Sequence, residues 1–130
     1  MGDKITISGN INNSIVNIKS TLKNVKQSIG AIPTDDEDTR KQLQGLIDEL
    51  GQMLAAPQVQ ESKKDEADTV AASAQLLVET AKTEEPNKTL LQNSGELLKK
   101  AAEALVEVAP GVVGIAGQIV TAVLHLHGLV

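Results

Sequence analysis

Residues 110–130 read PGVVGIAGQIVTAVLHLHGLV, a stretch without any acidic residue, lysine or arginine. Pro110 stands where the first helical position would be, a place that proline favours. At helical spacing the residues that follow are apolar on nearly every side, and such a helix has to be buried by protein or by lipid. The stretch therefore predicts a helix near 111–126 that is either enclosed in a bundle or in contact with a membrane.

Three amphipathic stretches precede this one, and each has an apolar residue every three or four positions. They predict helices near 36–55, 61–83 and 88–108. Thr34 and Glu37 have the spacing of a capping box for the first of these helices, and Asn87 can cap the third. We therefore expect residues 34–130 to form a helical bundle of about four helices that includes the apolar C-terminal helix.

The N-terminal residues 5–18, ITISGNINNSIVNI, carry no charge. Ile5 and Ile7 alternate with polar residues, which is the period of a strand, and Gly9 and Asn10 are typical of a turn. We predict a β-hairpin or strand pair in residues 1–19, followed by a short helix and linker in residues 20–33. The expected fold is one domain, mainly α, with this short β element at its N-terminus.

The composition of the chain excludes several classes of function. The 130 residues include no cysteine, which rules out disulfides and thiolate chemistry, and no aromatic residue on which a nucleobase could stack. A net charge of −5 further disfavours nucleic acid as a partner. Residues 1–10 lack the pattern of a secretory signal, so a cytoplasmic location is expected.

Charge is distributed unevenly along the chain. Residues 1–33 carry a net charge of +3, residues 34–68 carry −6 and residues 69–130 carry −2. The basic front and the acidic middle could attract each other within a chain or between chains. Solvated helix faces are the simpler interpretation of the same pattern.

Catalytic and metal-binding motifs are not recognisable in this sequence. His125 and His127 are two residues apart, so a helix would place them on different faces, and no acidic residue follows Glu107 to complete a local metal site. Polar caps on the last helical turn explain the two histidines more simply. We therefore predict a protein that is not an enzyme and that uses no metal, cofactor or small-molecule substrate.

Glycine recurs every third residue at Gly111, Gly114 and Gly117. This spacing matches neither the dinucleotide fingerprint nor a Walker loop. One interpretation is a groove that lets another helix approach closely, and the other is glycine tolerated inside a buried helix. The groove is favoured, because each glycine inside a helix costs about 1 kcal/mol relative to alanine.

Both ends of the chain favour self-assembly over catalysis. The uncharged N-terminal strands would leave an open edge for another copy, and the glycine face would offer a second contact. We predict a homo-oligomer, such as a ring, tube or filament, that acts as a scaffold. Its predicted interface consists of Ile5, Ile7, Ile11, Ile15, Val16, Ile18, Gly111, Gly114, Gly117, Ile119 and Val123.

The alternative hypothesis is a protein that associates with or inserts into a membrane through residues 108–130. This stretch approaches the length of about 20 apolar residues that spans a bilayer. Against it stand Gln118, Pro110, the glycines and the lack of interfacial Trp or Tyr. Membrane contact is therefore the less favoured of the two hypotheses.

Three segments, ITISGNINNSIVNIKSTLKNVKQSIG, PNKTLLQ and LKKAAEALVEVAPGVVGIAGQIV, resemble an uncharacterised bacterial module. The module is common in cyanobacteria, alone or at the ends of longer signalling and defence-type proteins. The resemblance covers nearly the whole chain but includes no catalytic motif, and it implies an accessory or scaffolding role. The first segment also resembles bacterial amyloid-signalling motifs, although the helical pattern behind it favours ordered strand pairing.

Overall fold

The computed structural model describes the backbone of residues 2–83 and 85–129 and the side chains of residues 15–83 and 85–129. This part of the chain contains six helices and no strand. They are α1 (Gly2–Gly30), α2 (Glu37–Leu54), α3 (Pro57–Ser62), α4 (Lys64–Ala81), α5 (Lys88–Glu103) and α6 (Gly111–Leu126). The prediction of a mainly α helical bundle is confirmed, and the predicted N-terminal β element is wrong.

Helix α1 replaces both the β element of residues 1–19 and the short helix expected at residues 20–33. The physical reason is a second, longer pattern in the sequence, with apolar residues separated by four and three positions in alternation, as on one helix face. These residues are Ile11, Ile15, Ile18, Leu22, Val25 and Ile29. The last four are at most 4% exposed, so packing inside the bundle favours a helix over the strand that the short alternating pattern predicts.

The five longer helices form a closed ring. Helix α1 packs against α2 and α4, α2 against α6, α6 against α5, and α5 against α4. Successive helices run in opposite directions, so most neighbours in this ring are antiparallel. A ring of five must contain one parallel pair, and here it is α1 and α4. Near the C-terminal ends of both helices, the Ser28 hydroxyl donates a hydrogen bond to Glu79 Oε1 at 2.9 Å.

Side-chain caps define where α2 and α5 begin. Asp36, and not Thr34, caps α2: its Oδ1 accepts from the Thr39 backbone N–H at 3.0 Å and its Oδ2 from the Thr39 hydroxyl at 2.7 Å. These hydrogen bonds from Thr39 are the main cause that lowers the pKa of Asp36, and nearby His125 lowers it further. Asn87 caps α5 as expected, because its Oδ1 accepts from the Leu90 N–H at 3.0 Å.

Helix α6 is buried on one side only. Its buried residues are Val112, Ile115, Ala116, Ile119, Val120, Ala122, Val123 and Leu126. Gly114, Gln118, Thr121 and His125 occupy the exposed side, so the protein itself covers the apolar face of this helix. Within the described residues, no helix has both the length and the apolarity required to cross a bilayer.

Candidate interaction surfaces

The predicted interface residues on α1 have different environments. Val16 is 61% exposed and Ile15 is half-buried, whereas Ile18 is only 1% exposed and belongs to the subunit's own core. The side chains of Ile5, Ile7 and Ile11 lie outside the described residues. Among the described members of this set, Val16 is therefore the one freely available to another molecule.

The register between α1 and α4 indicates how far α4 extends along α1, which also contacts α2 and the short helix α3. Ser28 of α1 is level with Glu79 of the parallel helix α4. Helix α4 begins at Lys64, which is 15 residues before Glu79. Because parallel helices rise equally per residue, α4 reaches back only to about the level of residue 13 in α1. Ile7 and Ile11 precede that level in the sequence.

The three glycines of α6 do not share one open face. An added Cβ at Gly111 would lie 3.0 Å from Met53 Cε, whereas one at Gly114 or Gly117 would meet no other atom within 4 Å. The subunit's own core covers Ile119 and Val123, which are both 0% exposed. Their apolar side chains need no second copy to cover them, and the candidates on α6 with open space above them are Gly114 and Gly117.

Gly114 and Gly117 form the floor of a groove between α2 and α5. The groove has a volume of about 590 Å³ and is also lined by Thr39, Gln42, Lys99, Gln118, Thr121, Ala122 and His125. Its walls are polar, and only Lys99 and His125 among them can carry a charge. Because glycine has no side chain, another helix backbone could approach this floor closely.

A second and larger groove separates α1 from α2, and sequence reasoning did not predict it. Its volume is about 900 Å³, and Lys19, Lys23 and Lys26 line its α1 side. The spacing of these lysines, four and then three residues, places them on one side of α1. That spacing was a readable signal, but only the packing of α2 beside it creates a concave surface.

Exposed leucines on α4 and α5 were also missed. Leu76, Leu90 and Leu97 are between 48% and 53% exposed. In the pairs at 90–91 and 97–98 the second residue, Leu91 or Leu98, is fully buried. Adjacent helical positions point about 100° apart, so both leucines of each pair cannot face the core.

The two histidines join α6 to its neighbours. His127 Nε2 is 2.6 Å from the Ala81 carbonyl oxygen at the C-terminal end of α4. A carbonyl only accepts, so the His127 Nε2–H donates this bond. His125 Nε2 lies 3.4 Å from Asp36 Oδ2 at the start of α2. In the described part of the chain, no three His, Cys, Asp or Glu side chains cluster as a metal site would require.

No protein-family model, curated protein or solved structure matches this chain. The resemblance to the bacterial module therefore stays a prediction. The surfaces of the bundle are the basis on which a function can be proposed.

Proposed function

We propose that the protein is a self-assembly module, without enzymatic activity, whose copies associate through the N-terminal part of α1. The observation that carries this proposal is that α1 extends further toward its N-terminus than the parallel helix α4 does. Helix α1 begins at Gly2, whereas α4 extends back only to about the level of residue 13. The alternating pattern continues beyond that level to Ile11, and Ile7 lies one further helical turn before it.

The lengths of the two helices support this proposal. At 1.5 Å per residue, the 29 residues of α1 extend about 43 Å and the 18 residues of α4 about 27 Å. Residues 5–18 also lack the charged side chains that natural proteins use to prevent unwanted association. An apolar stripe of isoleucines at helical spacing favours contact with a second copy wherever the bundle does not cover it.

The strength of such a contact can be bounded. Burying an isoleucine contributes roughly 1.5–3 kcal/mol, so Ile7 and Ile11 from two copies would contribute roughly 6–12 kcal/mol. Association itself costs an estimated 4–15 kcal/mol. These two ranges overlap, so this contact alone supports a weak oligomer. A tighter assembly needs a further surface, and the groove above Gly114 and Gly117 is the second candidate.

The experiment compares two double variants with the same change in charge. Ile7→Asp with Ile11→Asp should give monomers of 13.7 kDa, because carboxylates cannot be buried unpaired in an apolar contact. Asn12→Asp with Asn13→Asp adds the same two charges beside the isoleucine pattern and should leave the oligomer intact. Sedimentation velocity over a hundredfold range of concentration measures the masses, and far-UV circular dichroism checks that each variant is folded.

Two results would count against the proposal. A wild-type chain that stays monomeric at millimolar concentration would exclude self-assembly as its function. An oligomer that survives the isoleucine substitutions would exclude the α1 contact. A third variant, Gly114→Leu with Gly117→Leu, then tests the α6 groove, because leucine would fill its floor and block another helix.

A further inference from the structure

We propose that the groove between α1 and α2 binds an acidic, amphipathic helix of another protein. This groove is lined by Lys19, Leu22, Lys23, Lys26, Gln27 and Gly30 of α1 and by Gln44, Ile47, Asp48, Gly51 and Gln52 of α2, with Ala55 beyond its end. The inference is independent of self-assembly, because it concerns residues 19–55, whose side chains the structure describes, and not Ile7 or Ile11.

The charge of the groove differs in sign from that of the whole chain. Its lining contains three lysines and one acid, Asp48. Lys26 Nζ binds both carboxylate oxygens of Asp48, at 2.9 and 3.0 Å, so this acid is already neutralised. Lys19 and Lys23 form no salt bridge within the described residues, and both are exposed. A net charge of +2 on the lining, in a chain of net −5, attracts an acidic partner to this location.

The floor and walls of the groove suit a helix. Leu22 and Ile47 underlie the groove but are only 4% and 0% exposed, so its accessible apolar surface comes mainly from the lysine stems and Ala55. Gly51 lets α1 and α2 approach, since an added Cβ would lie 3.3 Å from Leu22 Cδ1. From Lys19 to Gly30 the groove follows α1 for about 16 Å, the length of three helical turns. The lysine alkyl chains add apolar contact while their ammonium groups face carboxylates on the flank of the partner.

Other anionic partners fit this surface less well. A flat membrane cannot follow a concave groove between two helices. Nucleic acid would meet a net charge of −5 and find no aromatic side chain for base stacking. An amphipathic helix supplies both the apolar stripe and the flanking carboxylates that the groove would contact.

The test uses a fluorescein-labelled helical peptide with leucine at heptad a and d positions and glutamate elsewhere. A second peptide has lysine in place of each glutamate. We expect the glutamate peptide to bind and the lysine peptide not to bind.

Lys19→Glu with Lys23→Glu should weaken binding by about tenfold or more, because two attractive contacts become repulsive. Lys88→Glu with Lys100→Glu makes the same change of charge on α5 and should leave affinity unchanged. Fluorescence anisotropy measures each affinity.

The location of the bound peptide has an independent reporter. The chain contains no aromatic residue, so the variant Gln27→Trp places a single fluorophore in the groove, and Gln92→Trp places one on exposed α5. Glutamate peptide should shift the emission of the first variant and leave the second unchanged.

Three results would overturn the inference. The glutamate peptide could fail to bind at millimolar concentration, or both pairs of lysine variants could lose affinity equally. Single-stranded DNA or phosphatidylglycerol vesicles could displace the peptide as well as unlabelled peptide does, which would indicate a general anion surface. The variant Ile7→Asp with Ile11→Asp should still bind the peptide, so failure of self-assembly and failure of this inference are distinguishable.

Discussion

Replacing Gly95 with alanine tests how closely α5 packs against α6. A Cβ at this position would lie 2.8 Å from Val120 Cγ1 and 3.5 Å from Cγ2. Val120 is 4% exposed, and a β-branched side chain in a helix has essentially one χ1 rotamer, so it cannot move aside freely. Overpacking costs about 1–3 kcal/mol, while alanine in a helix gains about 1 kcal/mol over glycine. We therefore expect Gly95→Ala to lower the free energy of unfolding by about 1 kcal/mol.

Gly45→Ala is the matched control for this substitution. Gly45 lies within α2, and an added Cβ there would meet no other atom within 4 Å. The gain in helix propensity then acts alone and should raise the free energy of unfolding by about 0.5–1 kcal/mol. The two variants make the same chemical change, so opposite signs would isolate the contact with Val120.

The assay is urea unfolding followed by circular dichroism, at one protein concentration because the proposed oligomerisation would make stability depend on concentration. Thermal unfolding gives a second readout, in which 1 kcal/mol corresponds to about 3–6 °C for a chain of this length. Gly95→Ala should also become favourable when Val120→Ala removes the crowded methyl groups. If Gly95→Ala stabilises the wild-type background as much as Gly45→Ala does, the packing argument is wrong.

Two further predictions concern the start of α2. The pKa of Asp36 is lowered in the folded chain by its hydrogen bonds with Thr39. The ionised carboxylate therefore stabilises the fold fully above the unfolded-state pKa of about 3.9, and this contribution is lost as pH falls through the lowered folded-state pKa. The stability gap between the wild type and Asp36→Asn should therefore narrow below about pH 4, as urea unfolding at several pH values would detect. Arg40 Nη2 donates to the carbonyl oxygens of Ile32 and Thr34 at 2.7 and 3.1 Å. Arg40→Lys loses this double contact and should lower the free energy of unfolding by about 1–2 kcal/mol. Lys41→Arg, at an exposed neighbouring position, should change the melting temperature little.

Local signals in the sequence were sufficient for the bounds of two helices and for the start of a third. The predicted 36–55 became Glu37–Leu54, and the predicted range 111–126 agrees with α6. The predicted helix 88–108 begins correctly at Lys88, but its predicted end is wrong, because α5 ends at Glu103. Caps and prolines act within a few residues, so their effect can be read without knowing the fold. The predicted helix 61–83 instead divides into α3 and α4 at Lys63, where no side chain caps the new helix.

The N-terminal region shows where prediction from short sequence patterns fails. Alternation at Ile5 and Ile7 covers only a few residues, and isoleucine itself favours strands. The spacing that predicts a helix begins at Ile11 and continues to Ile29, across the boundary drawn at residue 19. Tertiary packing overrides local propensity when one face of a long segment can be buried, so the longer pattern is the better guide.

The candidate surfaces were less predictable than the helices, because a surface depends on which helices are neighbours. Gly111 and Gly114 look equivalent in the sequence, yet α2 places Met53 against the first and leaves the second open. The lysines of α1 were visible as one face, but not the residues of α2 opposite them. Asp48 is 22 residues from Lys26, and only the turn between α1 and α2 brings the two together.

Helix α1 carries both proposed surfaces, and the same spacing produces them. Its buried residues at 18, 22, 25 and 29 fix the rotation of the helix in the bundle. That rotation turns Lys19, Lys23 and Lys26 toward the groove beside α2. The same spacing continues N-terminally to Ile11, beyond the level that α4 reaches. Because the two proposed surfaces use different residues of α1, a partner in the groove and a second copy at the N-terminus could bind together. Substitution of Ile7 and Ile11 should therefore alter oligomer mass while leaving peptide affinity unchanged.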